Sequence, residues 1–202
     1  MRLYVLARHG ESVLNQQGRV NGDPAVPARL TERGRENARL LGLELRGLPL
    51  DACLYTRFGR TLETARIALE GRDIAFIEDE LFDDVRVGEL EGWTVDEYRD
   101  WKRDHTRADR FPGGESLNAA AHRYAEGFRH VLERAYERVL VVCHEIPIRY
   151  ALNAAGNSDD LDRPVHSIPN AMPFLFDNDA LAAAADRIDR LASEDPSTRS
   201  SY

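Results

Sequence analysis

The sequence is short of lysine and cysteine and has no long apolar run. Its 202 residues include one lysine, Lys102, which follows Trp101, so the phosphate-binding loop Gly-x-x-x-x-Gly-Lys-Ser/Thr is absent. The two cysteines, Cys53 and Cys143, are too few for a disulfide scaffold or a four-thiolate zinc site. Both lie in apolar segments, which predicts buried free thiols.

Basic residues are also fewer than acidic residues. There are 27 basic and 35 acidic residues, for a formal charge of −8, and no block of basic residues, so we expect no nucleic-acid partner. The apolar segment 3–7 is too short for a signal peptide, and no segment reaches the roughly 18 apolar residues of a membrane span. These absences predict a cytoplasmic protein with no membrane partner.

Arginine supplies all but one of the basic residues. GC-rich coding is the main explanation for such a bias, and it carries no functional information. The functional question is whether any arginine uses its planar fork to bind an anion.

Hydrophobic patterns predict strands and helices that alternate along the chain. The predicted strands are 2–7, 52–55, 74–77, 139–143, 165–168 and 172–176, and the predicted helices are 31–46, 58–69, 94–102, 116–136, 147–155 and 180–191. This order is typical of an α/β fold, a three-layer sandwich with a mostly parallel sheet flanked by helices. Residues 1–192 would form one domain, 78–116 a small inserted cap over the C-terminal edge of the sheet, and 193–202 a disordered tail.

Polar side chains follow three of the predicted strands. Arg8 and His9 come after the first strand, Arg57 and Arg60 after the second, and His144 after the strand at 139–143. Because ligands of open α/β sheets bind beyond the carboxyl ends of the strands, we expect these side chains to share one crevice. A single histidine in such a position is more often a surface residue, but two histidines at the ends of two central strands favour a shared site.

Six short segments form an ordered set along the chain. They are residues 8–12 (Arg-His-Gly-Glu-Ser), 30–34 (Leu-Thr-Glu-Arg-Gly), 60–65 (Arg-Thr-Leu-Glu-Thr-Ala), 87–92 (Val-Gly-Glu-Leu-Glu-Gly), 112–116 (Pro-Gly-Gly-Glu-Ser) and 141–144 (Val-Val-Cys-His). In order and spacing the set resembles the motifs of the histidine phosphatase superfamily, the phosphoglycerate mutase-like family. The resemblance spans about residues 2 to 176, and Asn170 has a counterpart there.

The resemblance implies a metal-independent phosphatase, without a cofactor, that hydrolyses a small phosphorylated metabolite through a phosphohistidine. Neutral His9 would attack phosphorus, and its other ring nitrogen would donate to a backbone carbonyl. Arg8 and Arg60 would bind the phosphoryl oxygens of the substrate or of inorganic phosphate. His144, if protonated, would donate to the same oxygens, and the dianion would raise its pKa. Asn15 would add one hydrogen bond.

The general acid is the first departure from the family pattern. The family has a glutamate four residues before the glycine that is Gly88 here, and that position holds Asp84. An acid must protonate the leaving oxygen, and a base must then activate water. We expect Asp84 to take both roles, with Asp83 and Glu89 as alternatives.

Two further departures lie beside the predicted phosphate site. Glu145 replaces the glycine that usually follows the second histidine, and its carboxylate would repel a phosphate unless it points away or pairs with an arginine such as Arg149. Glu145 could also raise the pKa of His144. Arg57 stands where the family more often has a small residue or proline, and it is either a further phosphate contact or a surface charge.

Two other functions remain open at this stage. A phosphoglycerate mutase-type phosphotransferase would share the phosphohistidine, but the segment after residue 12 lacks the tryptophan that such mutases usually carry. A weakly catalytic phospholigand-binding module is the second alternative, because of Asp84 and Glu145. A metal site is not expected, since residues 144–148 begin like His-Glu-x-x-His but end in Ile148.

Overall fold

A computed structural model describes residues 2–194 of the chain. In this part of the chain five strands form one sheet: β1 (Leu3–Arg8), β2 (Ala52–Tyr55), β3 (Ala75–Glu78), β4 (Arg138–Cys143) and β5 (Pro173–Asp177). The strand order is β3-β2-β4-β1-β5, with the first four parallel and β5 antiparallel to β1. The predicted, mostly parallel sheet is confirmed.

Helices cover both faces of the sheet. The described residues form α1 (Val13–Gln16), α2 (Glu32–Glu44), α3 (Gly59–Ala68), α4 (Val95–Arg103), α5 (Leu117–Glu133), α6 (Glu145–Ala155) and α7 (Asn178–Ser193). None of these helices is long and apolar enough to cross a membrane.

The alternation of side chains along β1 shows how the three layers are built. Tyr4 and Leu6 pack into the larger apolar cluster, which contains the buried faces of α5, α6 and α7. Val5 and Ala7 point to the opposite face, into a second cluster formed with α2 and α3. All four side chains are fully buried, which explains why the central strands read as continuous apolar runs. The predicted buried free thiols are also confirmed, since Cys53 and Cys143 lie in these strands.

The predicted strand at 165–168 is wrong. The backbone N–H of Val165 donates to Asn153 Oδ1 at 2.9 Å, and the Val165 carbonyl accepts from Asn153 Nδ2 at 2.8 Å. A buried side-chain amide thus satisfies the backbone groups that a neighbouring strand would otherwise pair. The next segment does form a strand, β5, within one residue of the predicted limits.

The segment between β3 and α5 contains two 3₁₀ turns (Glu80–Phe82 and Gly88–Leu90), α4 and a polar loop. A capping box closes the start of α4, because the side chains of Thr94 and Glu97 each accept the backbone N–H of the other residue. At the other end of the chain, α7 extends to Ser193, two residues beyond its predicted end. Of the predicted tail, 195–202 lies outside the described residues.

Candidate active site

The two histidines meet because their strands are neighbours. β1 and β4 pair in parallel with Arg8 opposite Cys143, so the next residues, His9 and His144, leave the sheet side by side. The His9 N–H continues the ladder by donating to the Cys143 carbonyl at 3.0 Å. The two imidazole centroids are 5.4 Å apart, and both side chains are buried. The structure therefore places the two predicted histidines side by side at the carboxyl ends of their strands.

His9 is fixed in one tautomer. Its Nδ1 lies 2.7 Å from the carbonyl oxygen of Gly10, which can only accept, so Nδ1 carries the proton and Nε2 carries a lone pair. Arg60 Nε donates to that lone pair at 3.0 Å. The backbone carbonyl of His9 accepts from Asn170 Nδ2 at 2.8 Å. Burial, followed by the charges of Arg60 and Arg8, lowers the pKa of His9 well below its usual value, so the ring is neutral at pH 7.

Arg60 lies at the centre of the site. It is on the first turn of α3 and is 3% exposed. Its guanidinium donates to His9, to the side chain and carbonyl of Asn21, to Asp84 Oδ2 at 3.2 Å and to His144 Nδ1 at 3.1 Å. Burial lowers the pKa of Arg60 to about 10, which keeps it cationic at neutral pH. A phosphate in this position would meet a cation that the protein has already oriented.

Arg8 is held by a carbonyl and a carboxylate. Its Nη1 donates to the Ile168 carbonyl at 2.7 Å and also lies 2.7 Å from Glu145 Oε2. Its Nε is buried and has no hydrogen-bond partner among the described residues. Glu145 thus pairs with Arg8, and its other oxygen lies 3.5 Å from Arg149. The Glu145 carboxylate therefore pairs with the guanidinium of Arg8, the group that the sequence analysis expects to bind phosphate.

His144 is neutral in the structure. Its Nε2 lies 3.0 Å from Thr56 Oγ1, and its Nδ1 accepts from Arg60. Its ring packs edge-on against Phe58 at 4.7 Å. Burial, and then Arg60, His9 and Arg8, lower its pKa well below the usual value. The predicted rise in the pKa of His144 concerns the state with a bound phosphate dianion, whose negative charge would oppose the effect of the two arginines.

Asp84 is the one of the three acid candidates that lines the same pocket as Arg8 and Arg60. Its Oδ2 lies 3.4 Å from His144 Nδ1, and a quarter of its side chain is exposed. Burial raises the pKa of Asp84, while Arg60 lowers it. Asp83 is instead buried against Arg57, and Glu89 is exposed on a 3₁₀ turn away from the pocket lining.

Of the other two residues predicted to contact the substrate, Asn15 lies in the pocket lining and Arg57 does not. Asn15 lines the pocket and accepts the Ser12 N–H through Oδ1 at 3.1 Å, which closes a capping box at the start of α1. Arg57 Nε donates to Asp83 Oδ2 at 2.6 Å, and its Nη1 lies 3.3 Å from Glu80. The structure does not bring Arg57 together with the pocket residues.

Several supporting residues were missed by the sequence analysis. Asn21 accepts from Arg60 and donates to Glu91 Oε1 at 2.8 Å. Thr56 contacts His144, and Arg123 donates to the carbonyls of Asp83 and Asp84. Glu91 lies in the recognised segment 87–92 and Thr56 directly follows β2, so position offered a signal for both. Asn21 and Arg123 had none, because their contacts are distant in sequence.

Comparisons with known proteins relate this chain to one family and one fold. The model of the histidine phosphatase superfamily (branch 1) matches residues 4–172. A 2,3-bisphosphoglycerate-dependent phosphoglycerate mutase 2 from Gloeobacter violaceus is 31% identical over 195 residues, covering 89% of this chain and 87% of the relative. A phosphoserine phosphatase 1 from Hydrogenobacter thermophilus is 31% identical over 157 residues, covering 72% of each chain. The crystal structure of a putative alpha-ribazole-5'-P phosphatase from Escherichia coli superposes with a TM-score of 0.76 at 22% identity, covering 86% of this chain and 89% of that one, and shows the shared fold.

Proposed function

Because the chain belongs to the histidine phosphatase superfamily (branch 1), we propose that it hydrolyses phosphate monoesters of small metabolites through a phosphohistidine, without a metal ion. The observation that carries the proposal is the state of His9. Its Nδ1 proton is committed to a carbonyl, its pKa is lowered, and its Nε2 lone pair faces the fork of Arg60. A neutral imidazole with one available lone pair is a nucleophile.

In the first step, His9 Nε2 forms a bond to phosphorus while the bond from phosphorus to the ester oxygen breaks. Arg60 Nε, which donates to Nε2 in the structure, transfers that hydrogen bond to a phosphoryl oxygen. In the second step, water attacks phosphorus and gives a proton to the Asp84 carboxylate while the nitrogen–phosphorus bond breaks. Inorganic phosphate is released and His9 returns to its neutral form.

Positive charge for the three equatorial oxygens comes from side chains. Arg60 and Arg8 supply planar forks, and the orphaned Nε of Arg8 is a donor available to an anion. A phosphoryl dianion beside His144 would raise the pKa of that imidazole and favour a further charge-assisted hydrogen bond. Asn15, at the edge of the same pocket, would supply a neutral donor.

Asp84 would move the protons. Its raised pKa favours the protonated form that the leaving oxygen needs, and the carboxylate formed in the first step can then accept a proton from water. Its position 3.2 Å from Arg60 places it beside the group that holds the phosphate. Arg57 would act on this loop through Asp83. The two roles predicted from the sequence, a phosphate contact or a surface charge, both remain predictions.

A phosphoenzyme experiment tests the proposal. The wild type should hydrolyse 4-nitrophenyl phosphate equally well with and without EDTA and should form an acid-labile phosphoenzyme on rapid quenching. His9→Ala should abolish that species, whereas His130→Ala, at an exposed histidine of α5, should retain it. A phosphoenzyme that survives in His9→Ala, or activity lost with EDTA, would contradict the proposal.

A mutase-type phosphotransferase is the second candidate, favoured by the relative from Gloeobacter violaceus. Both functions use the phosphohistidine, but a mutase returns the phosphoryl group to the substrate and excludes water. Incubation with 3-phosphoglycerate separates them. Isomerisation stimulated by 2,3-bisphosphoglycerate indicates a mutase, and steady release of inorganic phosphate indicates a phosphatase. Tight phosphate binding with no turnover would instead indicate a binding module.

A further inference from the structure

Glu145 lies between two arginines and contacts them unequally. Its Oε2 is 2.7 Å from Arg8 Nη1, whereas its Oε1 is 3.5 Å from Arg149 Nη1. The longer distance exceeds that of a charge-assisted hydrogen bond. Arg149 also keeps a buried Nε without a hydrogen-bond partner among the described residues. Arg149 can therefore bind the Glu145 carboxylate more closely than it does in this structure, at the expense of the contact with Arg8.

Asp162 competes with Glu145 for Arg149. It lies in the segment between α6 and β5, and its Oδ1 accepts from Arg149 Nη2 at 2.7 Å. Its Oδ2 accepts from Arg107 Nη1. Burial raises the pKa of Asp162, but the nearby cations, Arg107 foremost, outweigh burial and hold the pKa below its usual value. Asp162 is therefore a carboxylate at neutral pH, and its charge draws Arg149 away from Glu145.

Arg107 joins this cluster from the segment between α4 and α5. Its backbone carbonyl accepts from the Asn118 N–H at 3.0 Å, and its Nε donates to Asn118 Oδ1 at 3.3 Å. The guanidinium carbons of Arg107 and Arg149 lie 4.9 Å and 5.7 Å from the centre of the Tyr150 ring. Tyr150 is fully buried on α6. One buried ring thus supports both arginines and keeps their charges beside Asp162.

Five side chains of alternating charge thus lead to the phosphate site: Arg107, Asp162, Arg149, Glu145 and Arg8. Neither Arg107 nor Asp162 belongs to the lining of the pocket that contains Arg8. We infer that Asp162 and Arg107 are positioning residues for phosphate binding. They set how firmly Glu145 holds Arg8. A bound phosphate takes Arg8, and Glu145 then moves to Arg149. The inference rests on the proposed function for the identity of the anion that Arg8 binds.

Binding of inorganic phosphate, measured by calorimetry, tests the inference without turnover. Asp162→Asn should tighten binding about threefold. Arg149 then pairs more strongly with Glu145, which frees Arg8 for phosphate. Arg107→Gln should have the opposite effect and weaken binding about threefold, because Asp162 then holds Arg149 more strongly.

The same two changes in the Glu145→Gln background separate this route from the general field of the charges. A charge acts through space in both backgrounds, whereas the proposed route needs the Glu145 carboxylate. In Glu145→Gln, each change should therefore alter phosphate binding by less than about 1.5-fold. Asp159→Asn is the matched control, because Asp159 lies in the same segment as Asp162, has a 93% exposed side chain and pairs with Arg187. It should leave phosphate binding unchanged.

Equal shifts in the two backgrounds would overturn the inference, and so would no shift, or a shift in the wrong direction, in either folded variant. The two variants are independent, so Arg107→Gln decides the question if Asp162→Asn does not fold. With 4-nitrophenyl phosphate, the KM of Asp162→Asn should fall together with the Kd for phosphate. A variant that only damaged the segment around Asp162 would instead raise KM and lower kcat.

Turnover of 4-nitrophenyl phosphate reports separately on the proposed function. If the ester is hydrolysed but the shifts do not depend on Glu145, the phosphatase proposal stands and the positioning role is rejected. If the ester is not hydrolysed but the shifts do depend on Glu145, the positioning role stands and the phosphatase proposal is rejected. A wild type that does not bind phosphate would reject both.

Discussion

The protonation of the two buried histidines depends on the hydrogen-bond partner of each ring nitrogen. His9 and His144 are both neutral, yet they differ in how the ring nitrogens are used. A backbone carbonyl fixes the proton on His9 Nδ1, whereas Arg60 donates to Nδ1 of His144 and leaves Nε2 to Thr56. Burial and then Arg60 lower the pKa values of both rings, and hydrogen bonds from this one guanidinium align both imidazoles.

Asp84→Asn tests the acid at the residue scale. We expect kcat/KM for an alkyl phosphate to fall by about 10²- to 10³-fold, because an alkoxide leaves poorly without a proton. The loss for 4-nitrophenyl phosphate should be below about tenfold, since nitrophenolate needs no proton. In the wild type, activity on the alkyl ester should fall as the pH rises through the raised pKa of Asp84.

Glu89→Gln is the control for that comparison, because Glu89 is exposed and does not line the pocket. It should leave both activities unchanged. Equal losses on the two esters in Asp84→Asn would show that the carboxylate positions Arg60 and does not act as the acid.

Glu145 competes with phosphate for Arg8, which leads to a second residue-scale prediction. Glu145→Gln removes a negative charge 2.7 Å from Arg8 Nη1, so inorganic phosphate should inhibit about tenfold more strongly. Inhibition constants measured with 4-nitrophenyl phosphate would check this, with Glu126→Gln on α5 as an exposed control. Weaker inhibition would mean that Glu145 orients Arg8 for phosphate.

At the scale of elements, close packing of backbone holds the loop that carries His9. A Cβ added to Gly10 would lie 2.3 Å from the Gly34 carbonyl oxygen, and one added to Gly34 would lie 2.0 Å from the Glu11 carbonyl oxygen. Thr64 on α3 accepts the Gly10 N–H at 2.9 Å. The segment 30–34 therefore packs against the backbone next to His9, so the role of that motif is structural.

Gly10→Ala should disturb this packing. We expect a loss of about 1–3 kcal/mol in the free energy of unfolding, together with reduced phosphoenzyme formation, because the backbone must move apart. Urea unfolding and rapid-quench labelling would measure the two effects. Gly47→Ala, where no atom lies within 4 Å of the added carbon, should change stability by less than about 0.5 kcal/mol. A fully active and stable Gly10→Ala would contradict this account.

A second element, α5, braces the loop that carries the acid. Arg123 donates to the carbonyl oxygens of Asp83 and Asp84 and pairs with Glu115 at 2.6 Å. Glu115 also accepts the backbone N–H of Arg86 at 3.0 Å. The segment 112–116 thus acts at a distance from the substrate, by fixing the backbone on both sides of Asp84.

For the whole molecule, net charge and local charge have opposite signs. The chain carries a formal charge of −8, while the pocket lining carries more cations than carboxylates. A concave pocket with low-dielectric walls concentrates its own field, so an anionic substrate is attracted locally although the whole surface repels it.

The pH dependence of stability is a prediction at the scale of the whole molecule. His9 and His144 have lowered pKa values in the folded protein, so between those values and about 6.5 the unfolded chain binds more protons. Stability should therefore fall as the pH drops below about 6.5. Asp83 and Asp84 have raised pKa values, mainly because they are buried, and they act in the opposite direction between about 3.8 and those raised values.

Urea unfolding at pH 7.5 and pH 5.5 would measure this effect. Inorganic phosphate should reduce the loss at pH 5.5, because it binds the folded state and favours protonated His144. The variant His130→Gln, at an exposed histidine of α5, should keep the same slope. Stability that does not change between the two pH values would contradict the lowered pKa values.

More of the fold than of the site can be predicted from the sequence. Continuous apolar runs and helical spacing predict the central strands and all of the longer helices, because burial patterns are local. The strand predicted at 165–168 fails because its backbone is satisfied by the side chain of Asn153, twelve residues away from Val165. Such a contact leaves no periodic signal.

The fold class and the candidate residues Arg8, His9, Arg60 and His144 can be read from the sequence, because strand and helix patterns and the order of motifs are local properties of the chain. The tertiary structure alone decided that Arg57 binds Asp83 and that Asp84 faces the pocket. It also shows that a few of the many arginines, and the single lysine Lys102, line the pocket. The physical reason is that charge acts through distance and burial, and both are set only when remote segments pack together.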